Sequence, residues 1–366
     1  MQPTFSTVFN RTNLLSALLA VALCGCDLFV TPVNTGEIIM SELTKTMRPV
    51  CVGRLVVEIP AVAKINGWSQ KVDYTKIESI TPPSPNRKSF DAKIAQREKQ
   101  LKTSPHETDG VLLKNKTQLS PDSFLFVYRE DSSDTYLYQL DAFFWRPSFE
   151  YKFHARTADE HLAEGIDGIS KLVKSFIPMP TTDLLSLPPG LCIEHGVLTG
   201  NEFRGESVTI GGLIEEYPGV YFSFSTESTS QPPEEPRMIA RIERSFGMGD
   251  KVGKEMTAAT KFLRKRKRQL NGQEGEELVM LATIDGVTHM SADAEFYGEP
   301  NSLDKPDFKV SLSDQSHDDN THLPYNKILT EKEFLALWDT MLNGIKPRPK
   351  NQSGADSIWG PGPSKK

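Results

Sequence analysis

The chain has 366 residues, with 42 Lys and Arg against 48 Asp and Glu, and a formal charge of −6. That mild acidity excludes a protein devoted to nucleic acid, which needs a basic footprint for the phosphate backbone. A hydrophobic share of 38% over this length suffices for two ordinary domains with real cores.

The N-terminus carries Arg11, an apolar run from Leu14 to Leu23, and then Cys24-Gly25-Cys26-Asp27. About 20 apolar residues are needed to cross a bilayer, and this run is roughly half that. A positive start, a short apolar centre and small residues at the end describe a secretory signal. Leu23-Cys24-Gly25-Cys26 also resembles a bacterial lipobox, in which the chain is cut before the cysteine and its thiol is acylated. The expectation is a leader over 1–25, a lipid on Cys26, and Asp27 as a signal that keeps the lipoprotein in the inner membrane. Cleavage removes one cation, Arg11, so −6 becomes −7. Residues 26–46, with Pro, Asn, Thr and Gly and no periodicity, read as a tether to the body.

The body reads as two related halves, 47–180 and 187–348. The first opens with the Val-rich strand "CVGRLVVEIP", Cys51 to Pro60. After a Pro-rich turn, "SFDAKIAQREKQLK" places Phe90, Ile94, Arg97 and Leu101 at helical spacing. "GVLLKN", "SFLFVYRE", "TYLYQLDAFFW" and "FEYKFHAR" alternate as strands. "TADEHLAEGIDGISKLVKSFIPMP" closes with the stripe Leu162, Ile166, Ile169, Leu172, Val173 and Phe176, ended by Pro178.

The boundary falls in "PMPTTDLLSLPPG", 178–190. The second half repeats the order. "LPPGLCIEHGVLTG" supplies another Cys strand, and "SVTIGGLI" and "VYFSFSTE" follow as strands. "GKEMTAATKFLRKRKRQL", 253–270, reads as a basic helix. "EELVMLATIDGVTHMSADAEFYG" and "DFKVSLSDQ" are strands again. The last helix is "LTEKEFLALWDTMLNGIKPRP", with a capping box of Thr330 and Glu333 and an apolar face of Phe334, Leu337, Trp338, Met341, Leu342 and Ile345. Residues 349–366 read as a disordered tail rich in Pro, Gly, Ser and Lys. Strands then helices, without strict βαβ alternation, indicate α+β: two mixed domains, each an antiparallel-rich sheet with packed helices.

In an exported protein, Cys51 and Cys192 remain as an even pair once Cys24 is cleaved away and Cys26 acylated, so a disulfide is expected, closing a loop of 141 residues. Catalytic signatures are missing. There is no G-x-S-x-G, no P-loop and no H-E-x-x-H. "HETDG" and "HLAEG" lack a second His, and His106, His154, His161, His195 and His289 have no companions at catalytic spacing. "SHDDNTH", Ser316 to His322, matches no zinc pattern and suits turn chemistry. No cofactor or metal is expected. "RKRKR", Arg264 to Arg268, is expected as part of a solvated helix paired with the acids of "GQEGEELV", with contact to an acidic partner or an anionic membrane as the alternative. Arg54, beside a Cys strand, is expected to pair with a carboxylate across the domain interface.

Taken together, "PVCVGRLVVEIP", "LPPGLCIEHGVLTG" and "EKEFLALWDTMLNGIKPRP", in this order over roughly 47–348, resemble the immunity proteins of type VI secretion lipase effectors. The resemblance implies a two-domain periplasmic protein that binds and occludes an incoming phospholipase, protecting the cell's own phospholipids. It implies no catalytic residues, and it does not assign the residues that touch the toxin. The expected partners are the cognate effector and, through the N-terminal lipid, the membrane, with no nucleic acid. The competing readings are an envelope lipoprotein of structural or chaperone type and an enzyme with a dispersed site.

Overall fold

Gly53 breaks the first Val-rich stretch in two. Its φ of +59° lies in the left-handed region, and a side chain there would run into the Thr226 hydroxyl, so only glycine suits the position. The chain turns at Gly53 and Arg54 and forms an antiparallel hairpin of β1 (Met47–Val52) and β2 (Leu55–Pro60), where a single strand was expected. The structure, a computed structural model, describes residues 43–82, 86–178, 188–200, 205–232, 237–246, 258–284, 286–318 and 321–348. The expected leader 1–25, Cys26, Asp27, nearly all of the tether, most of the boundary 178–190 and the tail 349–366 lie outside these residues.

After the hairpin come β3 (Ala63–Val72), β4 (Thr75–Ile80) and α1 (Arg87–Thr103). The short β5 (Pro105–His106) and β6 (Gly110–Val111) precede four meander strands, β7 (Leu113–Ser120), β8 (Ser123–Arg129), β9 (Leu137–Arg146) and β10 (Phe149–Ala158). Then α2 (Leu162–Ser175) leads into β11 (Phe176–Pro178). The second half runs β12 (Gly190–Ile193), β13 (Gly196–Thr199), β14 (Glu206–Ile214), β15 (Tyr217–Glu227), α3 (Met238–Phe246), β16 (Thr260–Leu270), β17 (Gln273–Ile284), β18 (Val287–Phe296), β19 (Asp307–Gln315), α4 (Glu331–Asn343) and β20 (Lys346–Pro347).

The two halves repeat one topology. Twelve strands form one sheet in the order β16-β17-β18-β19-β15-β14-β3-β4-β10-β9-β8-β7. Reading outward from the central pair β3 and β14, each half lays down a hairpin, then its last meander strand, then the others in reverse. This is the expected α+β class, antiparallel sheet with packed helices. The repeat also corrects one expectation. Residues 260–270 are not part of a basic helix but the strand β16, the counterpart of β7. The counterpart of α1 is α3, which the sequence reading did not mark. The physical reason is the partner of the arginines. A strand sends alternate side chains to one face, so Arg264, Arg266 and Arg268 all reach Glu277, which is 0% exposed. A helix would have spread them around its axis.

The periodic stripes pack as spaced except at their ends: Phe176, expected to close the α2 stripe, lies in β11, and Ile345 lies beyond α4. Phe90, Ile94 and Leu101 of α1 pack on Phe126, Tyr128 and Phe143, and the Arg97 guanidinium lies over the Tyr128 ring at 4.8 Å. Asn86 caps α1 by accepting from the Ser89 N–H at 2.8 Å. On the other face of the sheet, Ile169, Leu172 and Val173 of α2 and Phe334, Leu337, Trp338, Met341 and Leu342 of α4 enter the main core. Burying side chains of this size contributes roughly 1.5–3 kcal/mol each. The capping box of α4 forms in both directions, Glu333 N–H to Thr330 and Thr330 N–H to the Glu333 carboxylate.

The terminal strands cross between halves. β11, which follows α2, pairs with β13 of the second half. β20, which follows α4, pairs with β2 of the first. Gly196 of β13 sits so close under the Phe176 ring that a side chain would overlap it. Each half therefore completes the Cys hairpin of the other.

Candidate functional site

The junction of the halves is held by charge and by a covalent bond. Cys51 and Cys192 form the expected disulfide, joining β1 to β12, and Gly53 and Cys192 exchange backbone hydrogen bonds at 3.1 and 2.8 Å. Arg54 fulfils its expectation. Its Nε and Nη2 both donate to the Glu206 carboxylate at 2.7 Å, across 152 residues of sequence. Buried Arg348 backs this pair, its N–H donating to the Arg54 carbonyl at 3.0 Å. Its guanidinium donates to the carbonyls of Gly190 and Pro188. Burial, with the like charge of Arg54, lowers its pKa to about 10.

The histidines do not assemble a catalytic group; each serves its own locality. His106 accepts from the Asp109 N–H at 3.0 Å in a turn. His154 pairs with Asp141 at 2.7 Å, His161 with Glu164 at 2.9 Å, and His195 stacks on Phe149 with centroids 3.8 Å apart. Asp141 is the most enclosed of these partners. Burial opposes its charge, yet donation from His154, the ammonium of Lys152 and the Tyr128 hydroxyl together hold its carboxyl below the usual range. Such an arrangement fixes a charge on the sheet. Asp318, in the "SHDDNTH" loop, accepts from the Thr321 N–H and the Tyr325 hydroxyl, which is turn chemistry. Among the described residues no group of three or more His, Cys, Asp and Glu could hold a metal ion.

The basic run is spent largely within the fold. Burial pushes the Glu277 carboxyl up, but donation from Arg266, Trp338, Arg268 and Arg264 outweighs it and holds it at about 2. Arg264 also forks onto Asp339 of α4, and Arg268 reaches Asn343.

Among the described residues, the surface left open is the sheet face opposite α2 and α4. On that side α1 lies against β7 and β8, and α3 against β17. Between them the register lines up mostly small residues in rungs: Ser69, Thr209 and Ser225, running on to Lys309; Gly67, Gly211, Ser223 and Ser311, running on to Asp293; and Ser313 and Ser291 beside Tyr221. Thr209 donates to Ser225 at 2.9 Å, and Ser311 to Asp293 at 2.7 Å. Short side chains let a partner approach the sheet closely, and hydroxyls offer it donors and acceptors. A broad polar floor between two helices suits recognition of a macromolecule; ligand pockets for small molecules are concave and mostly apolar. No periodic signal in the sequence marks this floor, because Ser and Thr on the outer face of a strand read as ordinary solvated positions.

The comparisons follow the same outline. The C-terminal domain of Tle cognate immunity protein 4 matches residues 187–350 and its N-terminal domain residues 48–181. No curated protein matches in sequence. Among solved structures, one in the Tle4–Tli4 complex is similar at 21% identity with a TM-score of 0.72, covering 84% of this chain and 99% of that one. The apo immunity protein TplEi of the type VI secretion system from Pseudomonas aeruginosa is similar at 20% identity with a TM-score of 0.70, covering 83% and 98%. At these identities the likeness is one of fold, and the two domain matches, which together take in nearly all of the described body, show the family: the chain belongs to the Tle cognate immunity protein 4 family.

Proposed function

We propose that this chain is an immunity protein that binds a type VI secreted phospholipase in the periplasm and occludes it, carrying out no chemistry of its own. The family membership carries the reading, and the open hydroxyl-lined floor between α1 and α3 supports it as the surface that receives the effector. A specific complex buries about 1,600 Å² in total, an extent that a face of several adjacent strands can supply. The solved Tle4–Tli4 complex, similar in fold, is consistent with an effector as the partner.

The anchor belongs to the same reading. Cys26 would be the acylated first residue and Asp27 the inner-membrane retention signal, which sets the inhibitor beside the lipids it guards. More than one acyl chain, at about 0.8 kcal/mol per buried CH₂, makes such anchoring stable. Membrane fractionation of an Asp27→Ser variant tests this part; an unchanged distribution refutes the retention signal. The inhibition itself is tested by co-expression with a periplasmic phospholipase effector. Rescue of growth is expected from the wild-type chain. Continued lysis despite normal accumulation of the chain would contradict the proposal.

A further inference from the structure

The twelve-stranded sheet ends in two edges of different character. An unpaired edge offers a row of N–H and C=O groups to any extended chain, and proteins usually blunt such edges. The β7 edge is blunted. Its pairing with β8 shifts register twice within eight residues, and Lys116 is tied to Glu98 of α1 at 2.6 Å. The β16 edge has one register shift, between Phe262 and Arg264, and is guarded by its Lys and Arg, which bar a like strand and not an acidic one. It is 11 residues long, and its register runs without a break from Arg264 to Leu270. Among the described residues it pairs on one side only, with β17.

Charge decides what this edge accepts. β16 carries Lys261, Arg264, Lys265, Arg266, Lys267 and Arg268. Their paired carboxylates are Glu331, Asp339, Glu277 and Glu243, so five of the six cations share four acids. Glu276, opposite Lys267 in the register, is turned instead to the Ile239 N–H at the start of α3, at 2.8 Å. Lys267 is exposed and has no partner among the described residues. A second copy of β16 laid antiparallel on this edge would set cations against cations, which is unfavourable for directly opposed strands. An acidic strand would gain both the backbone ladder and the charge pairing.

We propose that the free edge of β16 takes an additional strand, an extended acidic segment of the effector, so that the sheet continues into the partner. This rests on the proposed function and adds to it a second point of attachment beyond the open floor. The test is amide hydrogen exchange of the whole chain with and without the effector, together with affinity for Lys267→Glu and for the double variant Lys265→Glu, Lys267→Glu. Effector binding is expected to slow exchange at the 264–270 amides. Charge reversal is expected to weaken affinity at least tenfold at low salt, with less loss at high salt, while the thermal midpoint of Lys267→Glu stays at the wild-type value. Tight effector binding with unchanged exchange along β16, or unchanged affinity in Lys267→Glu, overturns the proposal and leaves the immunity reading standing. No effector binding by the wild type overturns both. Concentration-dependent protection of the same amides without effector would show a second copy on the edge and also overturns it.

Discussion

At the residue scale the fold turns on a few carboxylates whose environments pull in opposite directions. Glu277 is fully buried and takes donors from three arginines and Trp338. Removing the acid leaves Arg266 and Arg268 without their counterion, while Arg264 keeps Asp339. Breaking a buried charge pair typically costs roughly 3–5 kcal/mol, and the half-exposed Arg266 brings this case toward about 3. Glu277→Gln should therefore lower stability by about that amount in urea unfolding. Its pKa is lowered from 4.5 to about 2, so its contribution is complete above pH 4.5 and is lost as pH falls through 2. Asp314 runs the other way. Burial raises it from 3.8 to about 6, although the Leu329 N–H donates to it. A raised carboxyl contributes its stability below pH 3.8 and loses it as pH rises through 6. Asp314→Asn should remove that slope and be more stable than wild type at pH 7; an unchanged slope between pH 4 and 6 would contradict the assignment. Some of these roles were legible in the sequence. The even cysteine pair, the capping box and the need of Arg54 for a distant carboxylate follow from residue types and compartment. Glu277 was legible only as one of several acids near the basic run, because its selection depends on the hairpin register that sets it opposite Arg266.

At the element scale the halves are interlocked by the strands β11 and β20, each of which completes the other half's Cys hairpin. Separately expressed fragments 47–180 and 187–348 should therefore fail to unfold cooperatively, and should regain a cooperative transition when co-expressed. A cooperative, native-like transition from either fragment alone would contradict this. The disulfide adds to the lock. Cross-linking across 141 residues constrains the unfolded chain by up to about 5 kcal/mol on a chain-entropy estimate. Paired Cys51→Ser and Cys192→Ser substitutions should lower the denaturant midpoint without abolishing the fold. The long strands and the helices α1, α2 and α4 were readable because their apolar residues repeat over many positions. The crossing strands were not, since two or three residues carry no period. Nor was β16, whose run of Arg and Lys has good helix propensity and no apolar alternation; its pairing with buried Glu277 overrides that propensity.

At the scale of the whole molecule, duplication and crossing give one continuous sheet with two helices beneath it and a polar floor open between α1 and α3. Such a body offers area and shape more readily than chemistry, which is what occlusion of an enzyme requires. The halves act on a partner as one surface, so an effector resting on β14 and β15 is held by the first half as well, through β3. A bulky substitution on the floor should weaken binding: Ser223→Trp should cost the complex at least tenfold in affinity while leaving the thermal midpoint near wild type. The central claim is tested most directly by adding the purified chain to its cognate phospholipase effector and measuring phospholipid hydrolysis alongside complex formation by calorimetry. The account predicts a stoichiometric complex and loss of hydrolysis at the same molar ratio. Undiminished hydrolysis with no heat of binding would contradict it.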